Sequence, residues 1–192
     1  TGSGVIALML AQKSTALIEA IELDQLSSDQ AEDNFVKSPW TERLRVSHID
    51  LNDFVSKTNT KYDLIVCNPP FFVGSTKNKE SRVSAARHEE HLSLESLLIH
   101  SYSLTNETGQ LALVMPYERL IQIEKECKKG KWFIERKLSV RPKKDRAFNR
   151  VIVLLSKDEN TKIDCEELTL YTDNHTYTQE ATQRLKPYYL NL

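Results

Sequence analysis

Asp63-Leu64-Ile65-Val66-Cys67-Asn68-Pro69-Pro70-Phe71-Phe72 joins a run of strand-forming residues to two consecutive prolines. Its first half is a short, continuously apolar run of strand-forming residues, which is typical of a parallel strand buried on both faces. Two prolines then end the strand, because proline fixes φ and has no backbone N–H to donate to a neighbouring strand. In open α/β sheets, ligands bind at the carboxyl ends of the strands. The stretch therefore predicts a buried parallel strand over Tyr62–Cys67, followed by a stiff turn that carries the catalytic residues.

A second signal opens the chain, where Thr1-Gly2-Ser3-Gly4 leads directly into a helix-forming run at residues 5–11. Glycines in such a turn let the backbone approach a ligand closely, and the N–H groups of the helix N-terminus point towards it. A turn of this kind normally follows a buried strand, and the numbering has none before Thr1. We expect a single domain over residues 1–192 that lacks its N-terminal strand, with a native chain that begins upstream of Thr1.

The remaining chain alternates between strand and helix patterns and then changes to a hairpin. Strands are predicted at residues 16–24, 43–49, 110–115, 132–140, 150–156 and 167–171. Helices are predicted from Ser27 or Ser28 to about residue 37, near residues 52–56, and at 92–105, 118–129 and 178–190, with Thr108-Gly109 ending the third of them. This order predicts an α/β fold, a mostly parallel, doubly wound sheet with an antiparallel C-terminal hairpin.

Composition limits the partners and the compartment. The formal net charge is −1, so nucleic acid could be held only through local basic patches. Cys67, Cys127 and Cys165 are too scattered for a zinc knuckle or a redox pair, which favours free thiols and a cytoplasmic protein. No apolar run approaches the length of a bilayer span.

Glu22, near the end of one predicted strand, and Asp50, directly after the next, are candidate ligands of a nucleoside. Glu22 could accept hydrogen bonds from two ribose hydroxyls, and Asp24 could instead cap the next helix. Asp50 could accept from an adenine amino group, or equally act as a helix N-cap. Gly2-Ser3-Gly4-Val5-Ile6-Ala7 also fits a dinucleotide fingerprint, so these residues leave open both a nicotinamide and an S-adenosylmethionine site.

Asn68-Pro69-Pro70-Phe71 separates these alternatives. A planar exocyclic amine is a poor nucleophile, because its lone pair is delocalised into the ring. If the Asn68 side-chain oxygen and the Pro69 carbonyl each accept one amine hydrogen, the lone pair is directed at an electrophile on the opposite side. Phe71 supplies a ring on which a planar base can stack, worth about 1–3 kcal/mol. No nicotinamide chemistry needs this arrangement.

The order of these motifs resembles the class I S-adenosylmethionine-dependent methyltransferases, which have a Rossmann-like fold and here would act on a planar nitrogen. Within them, the chain is most similar to the bacterial enzymes that methylate N6 of the adenine just 3′ of the anticodon in one valine tRNA. The similarity is carried by residues 1–12, 38–40, 68–72, 177–180 and 188–190. The acidic residue and the first glycine that precede the Gly-Ser-Gly turn in that family are absent from this sequence.

The resemblance implies roles for individual residues. The cofactor S-adenosylmethionine, which leaves as S-adenosylhomocysteine, would be contacted by Thr1, Gly2, Gly4, Glu22, Asp50, Leu51 and Asn68. The target amine would be engaged by Asn68, Pro69, Pro70 and Phe71. Other targets remain open at this point, namely a guanine N2, a DNA adenine or a protein glutamine amide. An inactive RNA-binding module is the alternative outside the enzymes.

Two basic regions could hold RNA phosphates, and otherwise they are solvated loop charges. One contains Lys77, Lys79, Arg82 and Arg87 in a loop, residues 73–91, that we expect to be mobile and to close over a flipped base. The other surrounds the predicted hairpin. As substrate-RNA contacts we select Phe72, Arg87, Arg141, Lys143, Lys144 and Arg146. His88-Glu89-Glu90-His91 lacks the spacing of a zinc-protease motif. We expect tRNA as the partner, no membrane, no metal, and a monomer rather than an oligomer.

Overall fold

The computed structural model describes residues 1–69 and 92–189. Pro70, Phe71, Phe72 and the predicted loop at residues 73–91, with Arg87 in it, lie outside the described residues. The chain divides into two compact units, Thr1–Asn59 and Thr60–Leu192.

The first unit is a pair of parallel strands with three helices. Its elements are α1 (Val5–Lys13), β1 (Ile18–Glu22), α2 (Gln25–Val36), a 3₁₀ turn (Thr41–Arg43), β2 (Leu44–His48) and α3 (Leu51–Lys57). β1 and β2 pair in parallel with Ile18 opposite Leu44. Ala7, Ala11 and Phe35 from the helices pack with Ala20 and Leu44 from the strands to form its core. The parallel pairing places the carboxyl ends of β1 and β2 at the same edge.

The start of α2 differs from the prediction. The helix begins at Gln25, and its N-cap is Asp24 rather than Ser27 or Ser28. Asp24 Oδ2 accepts a hydrogen bond from the Ser27 N–H at 2.8 Å, which satisfies one of the N–H groups that have no partner within a helix. The capping role that the sequence left open for Asp24 is therefore confirmed.

The second unit contains a five-stranded mixed sheet. Its elements are β3 (Tyr62–Cys67), α4 (Leu94–Leu104), β4 (Thr105–Pro116), a 3₁₀ turn (Tyr117–Arg119), α5 (Leu120–Lys129), β5 (Phe133–Arg141), β6 (Arg150–Ser156), β7 (Asp164–Thr169) and α6 (Gln179–Leu185). The strand order is β3-β4-β6-β5-β7. β3 is parallel to β4, β6 is antiparallel to both β4 and β5, and β7 is parallel to β5. The predicted hairpin of β5 and β6 is confirmed.

β3 has the bounds and the parallel pairing that the sequence predicted, but the predicted burial is wrong. Leu64 is 43% exposed, and none of the six residues of the strand is fully buried. In this unit β3 is the edge strand of the sheet, with β4 as its neighbour. A strand at an edge is covered less completely than a central one, so an apolar run alone overstates its burial.

Gly109 has a different role from the predicted one. β4 begins at Thr105, directly after α4, and Thr108-Gly109 lie within the strand rather than ending a helix. The pairing register shifts between Tyr62 and Leu64 opposite this segment. A Cβ at Gly109 would lie 2.7 Å from the Tyr62 carbonyl oxygen, so glycine permits the close approach of two strands here.

Other boundaries also differ from the prediction, among them those of α5, β7 and α6. α5 starts at Leu120, after the 3₁₀ turn, instead of residue 118. β7 covers Asp164–Thr169 instead of residues 167–171. α6 starts after its N-cap Thr178, as expected, but ends at Leu185. Boundaries of this kind depend on caps and pairing partners that periodicity does not report.

The core of the second unit lies where β4 and β6 face the helices. Alternate residues of both strands are buried, among them Leu111, Leu113, Val151, Val153 and Leu155. Trp132 is also buried, and its indole N–H donates to the Leu98 carbonyl at 3.0 Å. α5 packs on α4 and β5. In the part of the chain that the structure describes, no helix is both long and apolar enough to cross a membrane.

Two isoleucines of α5 test this packing. Ile123 is fully buried, whereas Ile121, two positions earlier in the same helix, is 80% exposed. Ile123→Ala should lower the free energy of unfolding by about 2–5 kcal/mol, because it leaves a cavity in the core. Ile121→Ala, the matched control, should change it by about 0.5 kcal/mol or less. Urea unfolding of both variants measures the difference, and equal losses would contradict the orientation of α5.

Candidate active site

The Glu22 carboxylate joins the glycine turn to the end of β1. Its Oε2 accepts hydrogen bonds from the Thr1 amino group at 2.6 Å and from the Gly2 N–H at 2.7 Å. Its Oε1 accepts from the N–H groups of Leu23 and Asp24, at 2.9 and 3.0 Å. The structure therefore brings together Thr1, Gly2 and Glu22, three of the residues expected to contact a cofactor.

These hydrogen bonds keep Glu22 ionised. Burial raises the pKa of this carboxyl, but the hydrogen bonds from the Thr1 amino group, Asp24 and Gly2 lower it, and the net pKa is about 2. The folded pKa is below the ordinary value of 4.5, so the ionised carboxylate stabilises the folded unit above that pH. The contribution decreases as the pH falls from 4.5 towards 2. At neutral pH the carboxylate is an acceptor only.

The two glycines of the turn serve different needs. Both have positive φ, +57° at Gly2 and +80° at Gly4, which favours glycine over other residues. A Cβ at Gly4 would lie 2.5 Å from Phe35 Cε1, so Gly4 is required for the turn to pack on α2. A Cβ at Gly2 would meet no described atom within 4 Å. The turn is thus tightly packed at Gly4 and open at Gly2, where a ligand could approach the backbone.

Asp50 and Leu51 lie at the neighbouring strand end. The Ile49 N–H donates to the Glu22 carbonyl at 2.9 Å, which holds the ends of β1 and β2 together. Asp50 is the N-cap of α3, and its Oδ1 accepts from the Asn52 N–H at 2.7 Å. Leu51 is the first residue of α3, and the first N–H groups of a helix have no acceptor within it. The N-cap alternative for Asp50 is confirmed, and its contact with adenine stays a prediction.

The groups at this edge match the chemistry of an adenosyl ligand. Carboxylates such as Glu22 and Asp50 accept from ribose hydroxyls and from an exocyclic amine, while the Leu51 N–H can donate to a ring nitrogen. Glu22 already accepts four N–H donors, so a ribose hydroxyl would take the place of one of them. These acceptors and this donor therefore fit the adenosine part of a cofactor such as S-adenosylmethionine.

Asn68 and Pro69 follow the end of β3 in the second unit. Asn68 is exposed and Pro69 is buried, an arrangement that fixes the turn while leaving the amide accessible. Burial raises the pKa of the preceding Cys67 thiol to about 11, so this thiol is protonated at neutral pH and is a poor nucleophile. Pro70 and Phe71, the other two residues of the predicted catalytic motif, lie outside the described residues.

The basic residues of the hairpin fall into two groups. Arg141 donates to Glu167 Oε2 at 2.8 Å and to Thr169 Oγ1 at 3.0 Å, so much of its donor capacity is used within the protein. Lys143 Nζ donates to the Asp173 carbonyl at 3.2 Å. Lys144 and Arg146 are exposed. Phe72 and Arg87, the other two predicted RNA contacts, are not among the described residues.

The sequence analysis did not identify Tyr117 and Phe148, two aromatic residues of the second unit that lie after β4 and before β6. The ring centroids of Tyr117 and Phe148 are 5.1 Å apart, with 35° between the ring planes. A sequence signal was available, because Tyr117 directly follows Pro116, the last residue of β4, as Asn68 directly follows the last residue of β3. Over residues 1–69 and 92–189, no cluster of three or more histidine, cysteine or acidic residues could hold a metal ion.

Comparison with known proteins identifies related methyltransferases. Residues 1–115 match the family model of the methyltransferase small domain. The chain is 38% identical over 192 residues to the tRNA1(Val) (adenine(37)-N6)-methyltransferase of Parabacteroides distasonis, covering all of this chain and 81% of the relative. It is 36% identical over 193 residues to the protein of the same name from Trichodesmium erythraeum, covering 99% of this chain and 80% of the relative.

The fold has a counterpart among solved structures. A protein from Agrobacterium tumefaciens, described as a predicted O-methyltransferase, matches with a TM-score of 0.75 and 16% sequence identity. The match covers all of this chain and 89% of the other chain, and it shows a Rossmann-like methyltransferase fold. With the full-length similarity to the relatives above, the chain belongs to the methyltransferase small domain family and, within it, to the tRNA1(Val) (adenine(37)-N6)-methyltransferases.

Proposed function

We propose that this enzyme transfers a methyl group from S-adenosylmethionine to the exocyclic N6 of the adenine next to the anticodon of a valine tRNA. The observation that carries the proposal is the similarity over the full chain to methyltransferases of that name. Asn68-Pro69 at the carboxyl end of β3 supplies the chemistry that a planar amine needs. A tRNA substrate and the free cysteines Cys67, Cys127 and Cys165 fit a cytoplasmic enzyme.

The first unit supplies the residues that hold the cofactor. Glu22 accepts from the ribose hydroxyls, Asp50 accepts from the adenine amine, and the Leu51 N–H donates to the adenine ring. The open backbone at Gly2 lies beside Glu22 and receives the rest of the cofactor, while Thr1 and Gly4 shape the turn. When bound, S-adenosylmethionine supplies a methyl group on a positively charged sulfur.

The second unit supplies the residues that act on the amine. The Asn68 side-chain oxygen accepts one amine hydrogen and the Pro69 carbonyl accepts the other. Both acceptors are held by the stiff turn after β3, so they need little reorganisation as positive charge develops on the nitrogen. Pro70 and Phe71 complete the motif outside the described residues, and Phe71 is the ring that we expect to stack on the target base. The side chains thus orient the lone pair without a strong base.

Nucleoside mass spectrometry tests the substrate directly. The native full-length enzyme is incubated with labelled S-adenosylmethionine and a tRNA pool that lacks the modification. We expect label in N6-methyladenosine from valine tRNA. Label in N2-methylguanosine, or in no nucleoside at all, would contradict the proposed target.

Asn68→Ala tests the role of the amide. The variant should lower kcat by at least about 100-fold, since it removes one of two groups that stabilise charge in the transition state. S-adenosylhomocysteine binding, measured by calorimetry, should be largely retained. Asn160→Ala changes the same residue type in an exposed loop and should leave kcat unchanged. If Asn68→Ala turns over at the wild-type rate, the amide is not a catalytic group.

Glu22→Gln tests the cofactor contact. It should raise the Kd for S-adenosylhomocysteine by about 10- to 100-fold, because a hydrogen bond to a charged group is worth about 1.5–3 kcal/mol. Glu32→Gln, on the exposed face of α2, is the matched control and should have no effect. The backbone N–H groups of Gly2 and Asp24 lower the pKa of Glu22 below its ordinary value, so the wild-type Kd should not depend on Glu22 titration between about pH 5 and 9. Unchanged affinity in Glu22→Gln would remove Glu22 from the cofactor site.

A further inference from the structure

The topology of the second unit collects several chain segments at one edge of its sheet. β3, β4, β5 and β7 run in the same direction, and β6 runs in the opposite one. The carboxyl ends of those four strands and the amino end of β6 therefore share an edge. Asn68 leaves β3 there, Tyr117 leaves β4, and Phe148 precedes β6.

Tyr117 and Phe148 are fixed as a pair at this edge. Their rings are 5.1 Å apart, and both are half-buried rather than buried. The Tyr117 N–H donates to the Asn149 carbonyl at 3.3 Å, and the Asn149 N–H donates to the Val140 carbonyl at 2.9 Å. The backbone thereby ties the turn after β4 to the end of the hairpin loop, so the pair is ordered before any ligand arrives.

Arg141 packs against one ring of the pair. Its guanidinium lies 4.8 Å from the Phe148 ring centroid. Glu167 and Thr169 hold the guanidinium from the neighbouring strand, at 2.8 and 3.0 Å. The arginine is thus oriented by the protein and stabilises the ring through a cation–π contact. In this arrangement Arg141 positions Phe148, and two of its N–H donors are used within the protein.

The hairpin loop that carries Phe148 is rich in positive charge. Residues 141–150 contain five basic side chains and one acidic side chain. Lys144, Arg146 and Arg150 are exposed. Arg146 has an acidic neighbour at 3.8 Å, Asp145, but both side chains are about 70% exposed, so this ion pair is weak. Aromatic rings within a basic surface are how proteins hold unpaired nucleotides without reading their sequence.

Tyr117 and Phe148 lie close enough to the turn at Asn68 for a few nucleotides of RNA to reach from one to the other. Cys67 is opposite Leu113 in the register, which places Asn68 beside Val114 and two positions before Pro116. With the usual rise and spacing of strands, Asn68 and Pro116 are about 8 Å apart. Stacked nucleotides advance about 3.4 Å each along one strand, so two or three of them span this distance.

We propose that Tyr117 and Phe148 form a stacking platform for an unpaired nucleotide that flanks the target adenine, and that Lys144, Arg146 and Arg150 hold the adjoining phosphates. The proposal rests on the proposed function and adds to it a second base site. A base that is turned out for methylation loses its stacking partners. The platform gives the flanking base a new stacking partner in place of the target base, and it holds the RNA in position while Asn68 acts on the amine.

Variants of the two rings test the platform. The assay is fluorescence-detected binding of the anticodon arm of valine tRNA to the native full-length enzyme. Tyr117→Ala and Phe148→Ala should each raise Kd by about 5- to 150-fold. Tyr117→Phe and Phe148→Tyr keep a ring and should bind as wild type does. Thermal unfolding and S-adenosylhomocysteine binding check that each variant is folded. Phe148→Leu keeps apolar volume without stacking, and it should weaken binding even if Phe148→Ala unfolds the hairpin.

Removing the base instead of the ring gives a double-mutant cycle. Anticodon arms with an abasic nucleotide at each position near the target adenine are bound to wild type and to Tyr117→Ala. At one position, the abasic RNA should weaken binding to wild type but not to the variant, since the contact is already lost. Additive losses at every position would overturn the platform.

The salt dependence of RNA binding distinguishes the role of the two rings from that of the basic residues. Alanine at Lys144, Arg146 or Arg150 should reduce the slope of log Kd against log salt by about 0.7 each, whereas Tyr117→Ala should leave the slope unchanged. Lys162→Ala is the control, because Lys162 is exposed in the loop between β6 and β7, at the opposite edge of the sheet. A slope that falls as much with Lys162→Ala as with Arg150→Ala would overturn the assignment of the phosphates.

The proposed methylation target and the stacking platform can be disproved separately. If wild type forms no N6-methyladenosine but its RNA binding responds to the ring variants as above, the proposed target is wrong and the platform stands. If wild type methylates the adenine and all ring variants bind and react as it does, the platform is wrong and the proposed function stands.

Discussion

The parallel pairing of β3 with β4 is the constraint on which the second unit depends. It sends the chain out of both strands at the same edge, once through Asn68-Pro69 and once through Pro116-Tyr117. Pro69 and Pro116 have no backbone N–H to donate, and β3 ends just before Asn68 while β4 ends at Pro116, its last residue paired with β6. Because β6 returns antiparallel to β4, the hairpin loop with Phe148 reaches this edge as well. One pairing choice thus places an amide acceptor, an aromatic pair and a basic loop side by side.

In the first unit a single carboxylate has the corresponding role. Glu22 accepts N–H groups from the glycine turn and from the residues after β1, and these bonds hold its pKa at about 2. The same charge that organises the turn is the one assigned to the ribose. Preorganisation of this kind means that little rearrangement is needed when a cofactor binds.

Much of this arrangement follows from local sequence. The apolar run before Asn68 fixed the bounds of β3, and the spacing of Gly2 and Gly4 before a helix indicated the turn that Glu22 holds. Local sequence could not predict pairing partners. Leu64 is exposed because β3 is an edge strand of its sheet. Glycine is needed at position 109 of β4 because the neighbouring strand leaves no room for a side chain there. The same limit hid Tyr117 and Phe148, which are 31 positions apart and meet only through the order of the strands.

The central claim is that Asn68 and Pro69 act on an exocyclic amine, and a substrate without that amine tests it most directly. Single-turnover methyl transfer is measured with anticodon-arm RNA that carries either adenine or unsubstituted purine at the target position. The account predicts transfer to the adenine RNA and none to the purine RNA, with similar binding of both. Equal transfer to the purine RNA would show that another atom is methylated and would contradict the account.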